Sequence, residues 1–209
     1  MEIQFHGANC ISIATKKAKV VIDDNLAKLG LKSVSNKADV VVYSNSSLKP
    51  DKLPEDAFLI DGPGEYEIKE VSVIGIPTRA HMDEPDQKTA TIYRIAAAGL
   101  MMVSLGHIHP DINEETLEKI GMVDIAILPV GGNGYTLDDH GAASLIKSLE
   151  PKMVIPTHYQ DKGVKYEVEQ NPLENFTKDL SATPEKIDKL KLKAGIISDV
   201  LSVYQITRT

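Results

Sequence analysis

The sequence predicts an α/β fold in which β-sheets are covered by helices. Short apolar and β-branched runs, separated by glycine and proline, fill the first half of the chain. Apolar residues at helical spacing occur mainly after residue 110. The 209 residues contain no Pro/Gly/Ser-rich linker, and this length is enough for one domain with a substantial core. We therefore expect a single domain spanning 1–209, built from sheets and helices.

The first half of the chain consists of predicted strands. Alternating apolar residues at 3–5, 10–13 and 19–22 indicate strands with one buried face, the last two forming a hairpin. The run Val-Val-Val-Tyr at 40–43 is continuous, which is typical of a strand buried on both faces. Further strands are predicted at 58–60, 71–76, 91–95 and 100–104.

The second half adds helices between strands. Helices are predicted at 114–120, at 138–149 and from Pro172 to about residue 180. Thr136 and Asp139 have the spacing of a capping pair for the second helix. Strands are predicted at 153–156, 196–197 and 200–206. The alternation of strands and helices indicates that the helices cover the sheets.

Charge and cysteine content exclude several classes of function. The net charge is −7, from 23 basic and 30 acidic residues, which argues against nucleic acid or an anionic membrane as partner. The one cysteine, Cys10, lies in a predicted strand and is interpreted as a buried structural thiol. The first residues lack a signal-peptide pattern, and no apolar run approaches the ~20 residues of a membrane span. We therefore expect a cytoplasmic location.

Several segments, in order along nearly the whole chain, carry a family resemblance. They are Asp-Gly-Pro-Gly-Glu-Tyr-Glu-Ile at 61–68, Gly-Ile-Pro-Thr at 75–78, Leu-Gly at 105–106, Leu-Pro-Val-Gly-Gly at 128–132, Tyr-Thr-Leu-Asp at 135–138 and Glu-Pro-Lys-Met-Val-Ile-Pro-Thr-His-Tyr at 150–159. The set resembles the metallo-β-lactamase superfamily, in particular its branch of Zn-dependent hydrolases related to sugar-phosphate lactonases. The resemblance implies a four-layer αβ/βα sandwich with the site at one edge, between two sheets.

One loop departs from the family pattern. In the resembling family, the loop after the strand at 40–43 supplies two histidines to one metal, and an aspartate and a histidine to the other. The matching positions here hold Asn45, Ser47, Lys49 and Pro50, and Ala8 stands where the family has a further histidine. Zinc prefers imidazole, thiolate or carboxylate ligands, and an ammonium group would repel a cation. We therefore expect the dinuclear centre to be absent.

Three histidines remain at family ligand positions. The resemblance matches His81 and His158 to histidine ligands, and His107 stands at the position of the bridging aspartate. Three imidazoles and one water form a known catalytic zinc arrangement, so one hypothesis is a single zinc held by these residues. If the backbone is extended, His109 points to the same side as His107. The alternative is that no metal binds and the histidines are ordinary polar residues.

Three functions are therefore open. The first is a non-catalytic protein that binds a small molecule in the old cleft or associates with itself. The second is a hydrolase of an ester, lactone or phosphoester that uses one zinc. The third is a metal-free site built from Lys49, Ser47 and the histidines. Asn45, Ser47, Lys49, His109 and Asp138 are expected to line the cleft, although capping a helix is the favoured role of Asp138.

Overall fold

Two β-sheets face each other in the computed structural model of the chain, which describes residues 1–193 and 197–209. The first sheet has the strand order β13-β1-β2-β3-β4-β5. These strands are β1 (Glu2–Gly7), β2 (Cys10–Ala14), β3 (Lys19–Ile22), β4 (Val40–Val42), β5 (Phe58–Ile60) and β13 (Leu190–Lys191). β3, β4 and β5 run parallel to one another, so the carboxyl ends of β3 and β4 meet at one edge of this sheet.

The second sheet is larger and has the order β12-β14-β11-β10-β9-β8-β7-β6. Its strands are β6 (Gly64–Ile68), β7 (Val71–Thr78), β8 (Ala90–Ala97), β9 (Leu100–Ser104), β10 (Ile125–Pro129), β11 (Met153–Thr157), β12 (Glu185–Ile187) and β14 (Ser202–Ile206). β9, β10 and β11 are parallel, whereas β6 to β9 form an antiparallel meander. The loops after β9 and β11 therefore leave the sheet at the same edge.

Alternating side chains place the main core between the two sheets. Val20 and Ile22 point into this core, whereas Val21 between them packs on the outer face with Cys10 and Leu26. The second sheet behaves in the same way: Ile125 and Ile127 enter the shared core, and the intervening Ala126 packs under the helices. A strand period of two therefore gives each sheet two buried faces.

Short helices cover the outer faces. α1 (Glu114–Ile120), α2 (Asp139–Leu149) and α3 (Leu173–Asp179) contribute to the core on the outer face of the second sheet. The 3₁₀ segments Leu26–Leu29 and Ser46–Leu48 pack their leucines on the outer face of the first sheet. The predicted sandwich is thus confirmed, with 3₁₀ turns forming part of the layer outside the first sheet.

The elements differ from the prediction in a few places. The cap of α2 is Asp138, whose Oδ1 accepts a hydrogen bond from the Gly141 amide at 2.7 Å, so the predicted Thr136–Asp139 capping pair is wrong. Thr136 is instead fully buried and lies two residues before the capping position. The predicted strand at 196–197 includes residue 196, which lies outside the described residues. The final strand begins at Ser202 rather than at residue 200.

Cys10 is buried and unpaired, as the sequence predicts. Among the described residues, no helix has both the length and the apolar character that crossing a membrane would need.

The run at 186–193 contributes β12 and β13 at the edges of the two sheets, and its lysines are exposed.

Candidate ligand-binding cleft

The loop after β4 is anchored to the first sheet by a buried aspartate, and its Ser44 carbonyl accepts a hydrogen bond from the Thr91 amide of the second sheet at 2.8 Å. Asp23, which follows β3, accepts hydrogen bonds from the Ser44 amide and from the Ser44 hydroxyl, both at 2.7 Å. A Cβ on Gly106 would lie 2.3 Å from the Ser44 Cβ, and Gly106 has φ +61°. Only glycine allows this approach. The contact brings residues 44–50, which we call the loop wall, next to His107.

The polar groups of the loop wall are used to hold its own backbone. Asn45 accepts a hydrogen bond from the Ser47 amide at 2.9 Å and so caps the 3₁₀ turn. The Lys28 ammonium donates to the carbonyl oxygens of Ser47 and Lys49, each at 3.0 Å. Lys49 forms an ion pair with Asp61. These contacts therefore fix the conformation of the loop wall.

Two buried histidines form the opposite wall, which we call the histidine wall. His107 follows β9, and His158 follows β11 with φ +49°, a left-handed conformation that is uncommon for histidine. Their Nε2 atoms are 3.4 Å apart and their rings are nearly perpendicular at 85°. A Cβ on Gly131 would lie 2.1 Å from the His158 carbonyl oxygen, so a glycine in the loop after β10 is needed to seat His158.

A directed chain of hydrogen bonds fixes the tautomers of these histidines. The Thr157 hydroxyl donates to Asn9 Oδ1 at 2.7 Å, which leaves the Asn9 amide nitrogen to donate to His107 Nδ1 at 3.2 Å. His107 then carries its proton on Nε2 and donates it to His158 Nε2. His158 in turn donates from Nδ1 to Gln170 Oε1 at 2.9 Å, since the Gln170 amide nitrogen donates to the Val168 carbonyl.

Burial keeps both histidines neutral. Desolvation lowers the pKa of His158 to about 4, even though the hydrogen bond to Gln170 opposes this shift. Desolvation, together with the neighbouring His158 and His81, holds the pKa of His107 well below its ordinary value. The pKa of Asp23, behind the loop wall, shifts in the opposite direction. Burial raises this pKa to about 6, although the two hydrogen bonds from Ser44 oppose the shift.

A small cavity of 140 Å³ opens between the two walls. The described residues that line it are Asn45, Ser47, Leu48, Ala80, His81, Met82, Asp83, Thr89, His107 and Tyr135. The Tyr135 ring packs edge-on against His107 at 5.2 Å. Both oxygens of Asp83 accept hydrogen bonds, from the Ala80 amide and from the amide and hydroxyl of Thr89. The cavity therefore presents mainly neutral polar groups.

His81, which lines this cavity, forms a second histidine pair with His109. Their ring centroids are 5.9 Å apart, and the His81 amide donates to the His107 carbonyl at 3.0 Å. Desolvation and the nearby His109 lower the pKa of His81. His81 Nδ1 is buried and has no hydrogen-bond partner within the part of the chain that the structure describes.

The donor geometry fits a zinc ion only in part. Two nitrogen ligands of a tetrahedral zinc lie about 3.3 Å apart, close to the 3.4 Å between the Nε2 atoms of His107 and His158. His158 fits, because a metal-bound histidine donates its other N–H to an oxygen. His107 does not fit, because its Nδ1 faces the Asn9 amide nitrogen and its Nε2 carries the proton. Over 1–193 and 197–209, no group of three or more His, Cys, Asp or Glu side chains is arranged to hold a metal.

The structure thus separates the residues that the sequence singled out. Asn45, Ser47, His81 and His107 share the cavity, and His158 lies directly behind His107. The described lining of the cavity does not include Lys49, His109 or Asp138, because Lys49 turns to Asp61 and Asp138 caps α2. Sequence reasoning missed Asn9 and Gln170, which come from distant segments and belong to no motif. Tyr135 could have been predicted from the sequence, because it begins the Tyr-Thr-Leu-Asp segment.

Residues 2–158 match the family described as the Beta-lactamase superfamily domain, which is more than half of the chain. The chain belongs to the beta-lactamase superfamily. The resemblance seen in the sequence is confirmed.

Curated relatives and solved structures agree with this membership. The chain is 24% identical to a UPF0173 metal-dependent hydrolase of Natranaerobius thermophilus over 189 aligned positions, covering 76% of this chain and 83% of the relative. A UPF0173 metal-dependent hydrolase of Listeria welshimeri is also 24% identical, covering 82% of this chain and 90% of the relative. A crystal structure from Thermotoga maritima, assigned to the metallo-beta-lactamase superfamily, superposes with a TM-score of 0.75 at 22% identity and covers 99% of this chain and 100% of its own. The superfamily fold is thus complete here.

Proposed function

We propose that this chain is a metallo-β-lactamase-fold protein that has lost the dinuclear metal centre and uses its cleft to bind a small polar molecule. Its relatives are named metal-dependent hydrolases, and the proposal treats this cleft as the descendant of such a site. Binding without metal-dependent hydrolysis is the role that the arrangement of the two walls supports best.

The hydrogen-bond chain through the histidine wall carries this proposal. His107 donates to the one His158 nitrogen that could otherwise bind a metal, and both outer nitrogens are satisfied by Asn9 and Gln170. A metal would have to break a buried chain in which every member is paired, and leaving such groups unpaired costs about 1–3 kcal/mol each. The loop wall offers an amide, a hydroxyl and an ammonium in place of metal ligands.

The cavity limits the ligand to a small, uncharged polar group. Its 140 Å³ is below the range of about 300–1,000 Å³ that is usual for drug-sized ligands. Donors and acceptors come from Ser47, His81 and Tyr135, and the Asp83 carboxylate is already satisfied. We therefore expect a molecule of a few non-hydrogen atoms, or one polar end of a larger molecule.

Metal analysis and ligand screening together test the proposal. Protein dialysed against chelator should contain far less than one equivalent of zinc, and its Tm should not change on chelation, because no metal stabilises the native state. In the same chelator, NMR screening of small polyols and amides should shift signals of residues around Tyr135. Ser47→Phe, which fills the cavity mouth, should abolish these shifts. Ser46→Phe, on the exposed neighbour outside the lining, should retain them.

A result of nearly one tightly held zinc per chain would contradict this proposal. It would favour the second candidate, a hydrolase of an ester, lactone or phosphoester with one zinc on His81, His107 and His158. The 3.4 Å separation of the two Nε2 atoms favours this candidate. This candidate requires the Asn9 amide group to rotate by 180°, so that Oδ1 accepts a hydrogen bond from His107 Nδ1–H. Zinc-dependent turnover that is lost in His158→Asn would establish it.

A further inference from the structure

A second cavity lies outside the first sheet and is separate from the cleft. Its volume is 570 Å³, and its described lining shares no residue with the cavity between the two walls. We call it the acidic groove. It is lined by Asp24, Ala27, Ser33, Ser35, Asn36, Ala38, Pro50, Lys52, Leu53, Pro54, Glu55, Asp56 and Ala57. The segment after β3 forms one side and the segment after the loop wall forms the other.

Asp24 is a buried carboxylate, and one of its oxygens has no hydrogen-bond partner in the described part of the chain. Its side chain is 2% exposed, and Oδ2 accepts hydrogen bonds from the Ser33 hydroxyl at 2.6 Å and from the amides of Val34 and Ser35 at 2.8 Å. Oδ1 is buried and has no partner among the residues that the structure describes. Buried charged oxygens are normally hydrogen-bonded, because desolvation without a partner is costly. The groove therefore contains an acceptor that needs a donor.

Tyr43 belongs to a buried apolar cluster beside this groove. Ala38, Leu53 and Ala57, which line the groove, pack against that cluster. Its hydroxyl is also buried without a partner in the described chain. Burial and then the negative charge of Asp24 raise the pKa of Tyr43, so the hydroxyl lies within the field of the carboxylate. A second buried polar atom without a partner in the described chain thus lies in the cluster beside the groove.

The charges and walls of the groove indicate the chemistry of the missing partner. Asp24, Glu55 and Asp56 contribute three negative charges and Lys52 one positive charge, which leaves a net charge of −2. The remaining walls include the apolar side chains of Leu53 and Pro54. A bare metal ion would leave most of 570 Å³ and these apolar walls without a contact. An alkyl chain with a cationic group at each end would satisfy both features.

We propose that the acidic groove binds a short aliphatic diamine, with one ammonium group donating to Asp24 Oδ1 and the other facing Glu55 and Asp56. An ammonium group has three donors, so it can satisfy Asp24 Oδ1 and still donate to other acceptors. The methylene chain packs against Leu53 and Pro54. This site is independent of the cleft, and neither proposal needs the other.

Calorimetric titration of the full chain with 1,4-diaminobutane tests this site. We expect saturable binding, with 1,4-butanediol as the uncharged probe of the same length giving none. Asp24→Asn should weaken binding at least tenfold, because it replaces the Oδ1 carboxylate oxygen with an amide donor or a neutral oxygen. The exposed pair Glu55→Gln/Asp56→Asn should weaken it several-fold without affecting the fold. Glu118→Gln, an equally exposed change on α1, should leave the affinity unchanged.

Three outcomes would overturn the proposal. The first is the absence of diamine binding to folded wild-type protein at about 10 mM, the concentration that detects even weak affinities. The second is equal binding of the diol, or an equal thermal shift from potassium chloride at matched ionic strength. The third is unchanged affinity in the Glu55→Gln/Asp56→Asn protein, which remains informative if Asp24→Asn fails to fold.

Discussion

The two walls of the cleft differ in how their polar groups are used. Structural contacts occupy the polar groups of the loop wall: Asn45 caps a turn, Lys49 pairs with Asp61, and Lys28 ties the carbonyl oxygens together. The histidine wall keeps two imidazoles buried, neutral and joined by a directed hydrogen bond. The difference teaches that side-chain pairing fixes the loop wall, whereas the position of one proton decides what the histidine wall can bind.

The contact that joins the walls should be the most sensitive to mutation. Gly106→Ala places a Cβ 2.3 Å from Ser44 at a positive φ, and we expect a loss of about 4 kcal/mol in the free energy of unfolding. Gly134→Ala is the control, because Gly134 has φ +74° but nothing within 4 Å of the added Cβ. It should cost only about 1 kcal/mol. Equal losses in urea denaturation would contradict the role of the Gly106–Ser44 contact.

The two walls should respond to acid with opposite sign. The folded pKa of His158, about 4, is below the unfolded value of ~6.5, so its stabilising contribution is present above pH 6.5 and is lost as the pH falls through 4. The folded pKa of Asp23, about 6, is above the unfolded value of ~3.9, so its contribution is present below that value and is lost as the pH rises through 6. Each effect amounts to about 3 kcal/mol.

Single variants separate these contributions. Between pH 7 and pH 4, His158→Asn should lose less stability than the wild type, and asparagine tolerates the left-handed backbone at this position. Asp23→Asn should lose more stability than the wild type over the same range. Denaturant unfolding at several pH values measures both slopes. Slopes that change in the same direction in the two variants would show that the walls do not titrate as described.

The tautomer of His107 can be reversed by one substitution. Asn9→Asp replaces the amide donor with a carboxylate acceptor, so His107 should carry its proton on Nδ1 and leave Nε2 free beside His158 Nε2. We expect zinc affinity to rise about 10–100-fold, measured by competition with a chromophoric chelator. Asn9→Leu removes the same hydrogen bond without offering an acceptor and should give no rise. An unchanged affinity in folded Asn9→Asp protein would refute the tautomer argument.

The smallest effect is expected at Lys49. Its ion pair with Asp61 is partly exposed, so Lys49→Gln should change the free energy of unfolding by about 0.5 kcal/mol or less. Because the ammonium group is directed to Asp61, the substitution should not alter zinc affinity in the wild type or in the Asn9→Asp protein. A marked rise in zinc affinity would instead show that Lys49 repels cations from the cleft, as the sequence alone suggested.

Much of the fold could be predicted because it depends on local pattern. The alternation in β3 and the continuous apolar run in β4 agree with their burial, and the ends of α1 agree with the sequence. β10 was not predicted, because its continuous apolar run shows no alternation. The cap of α2 could not be read with certainty, because Thr136 and Asp138 are both good capping residues and only the start of the helix chooses between them.

The candidate site was predicted less completely, because it depends on contacts between residues that are distant in the sequence. The histidines are visible in sequence because they occupy motif positions, but their protonation depends on neighbours 98 and 12 residues away, Asn9 and Gln170. Nothing local to those residues marks them as partners. Likewise, Lys49 can be assigned a charge from sequence, but not the direction in which its side chain points.

The sequence by itself determined the superfamily, the alternation that builds two facing sheets, and the identities of Asn45, Ser47, Lys49 and Pro50 where the resemblance predicts metal ligands, since these follow from residue identity and short-range spacing. Only the tertiary structure decided that His107 donates to His158, that Lys49 turns to Asp61, and that Asp24 is left with an incomplete oxygen in a separate groove. Those outcomes depend on which distant groups meet, and hydrogen-bond direction and burial exist only once the chain has folded.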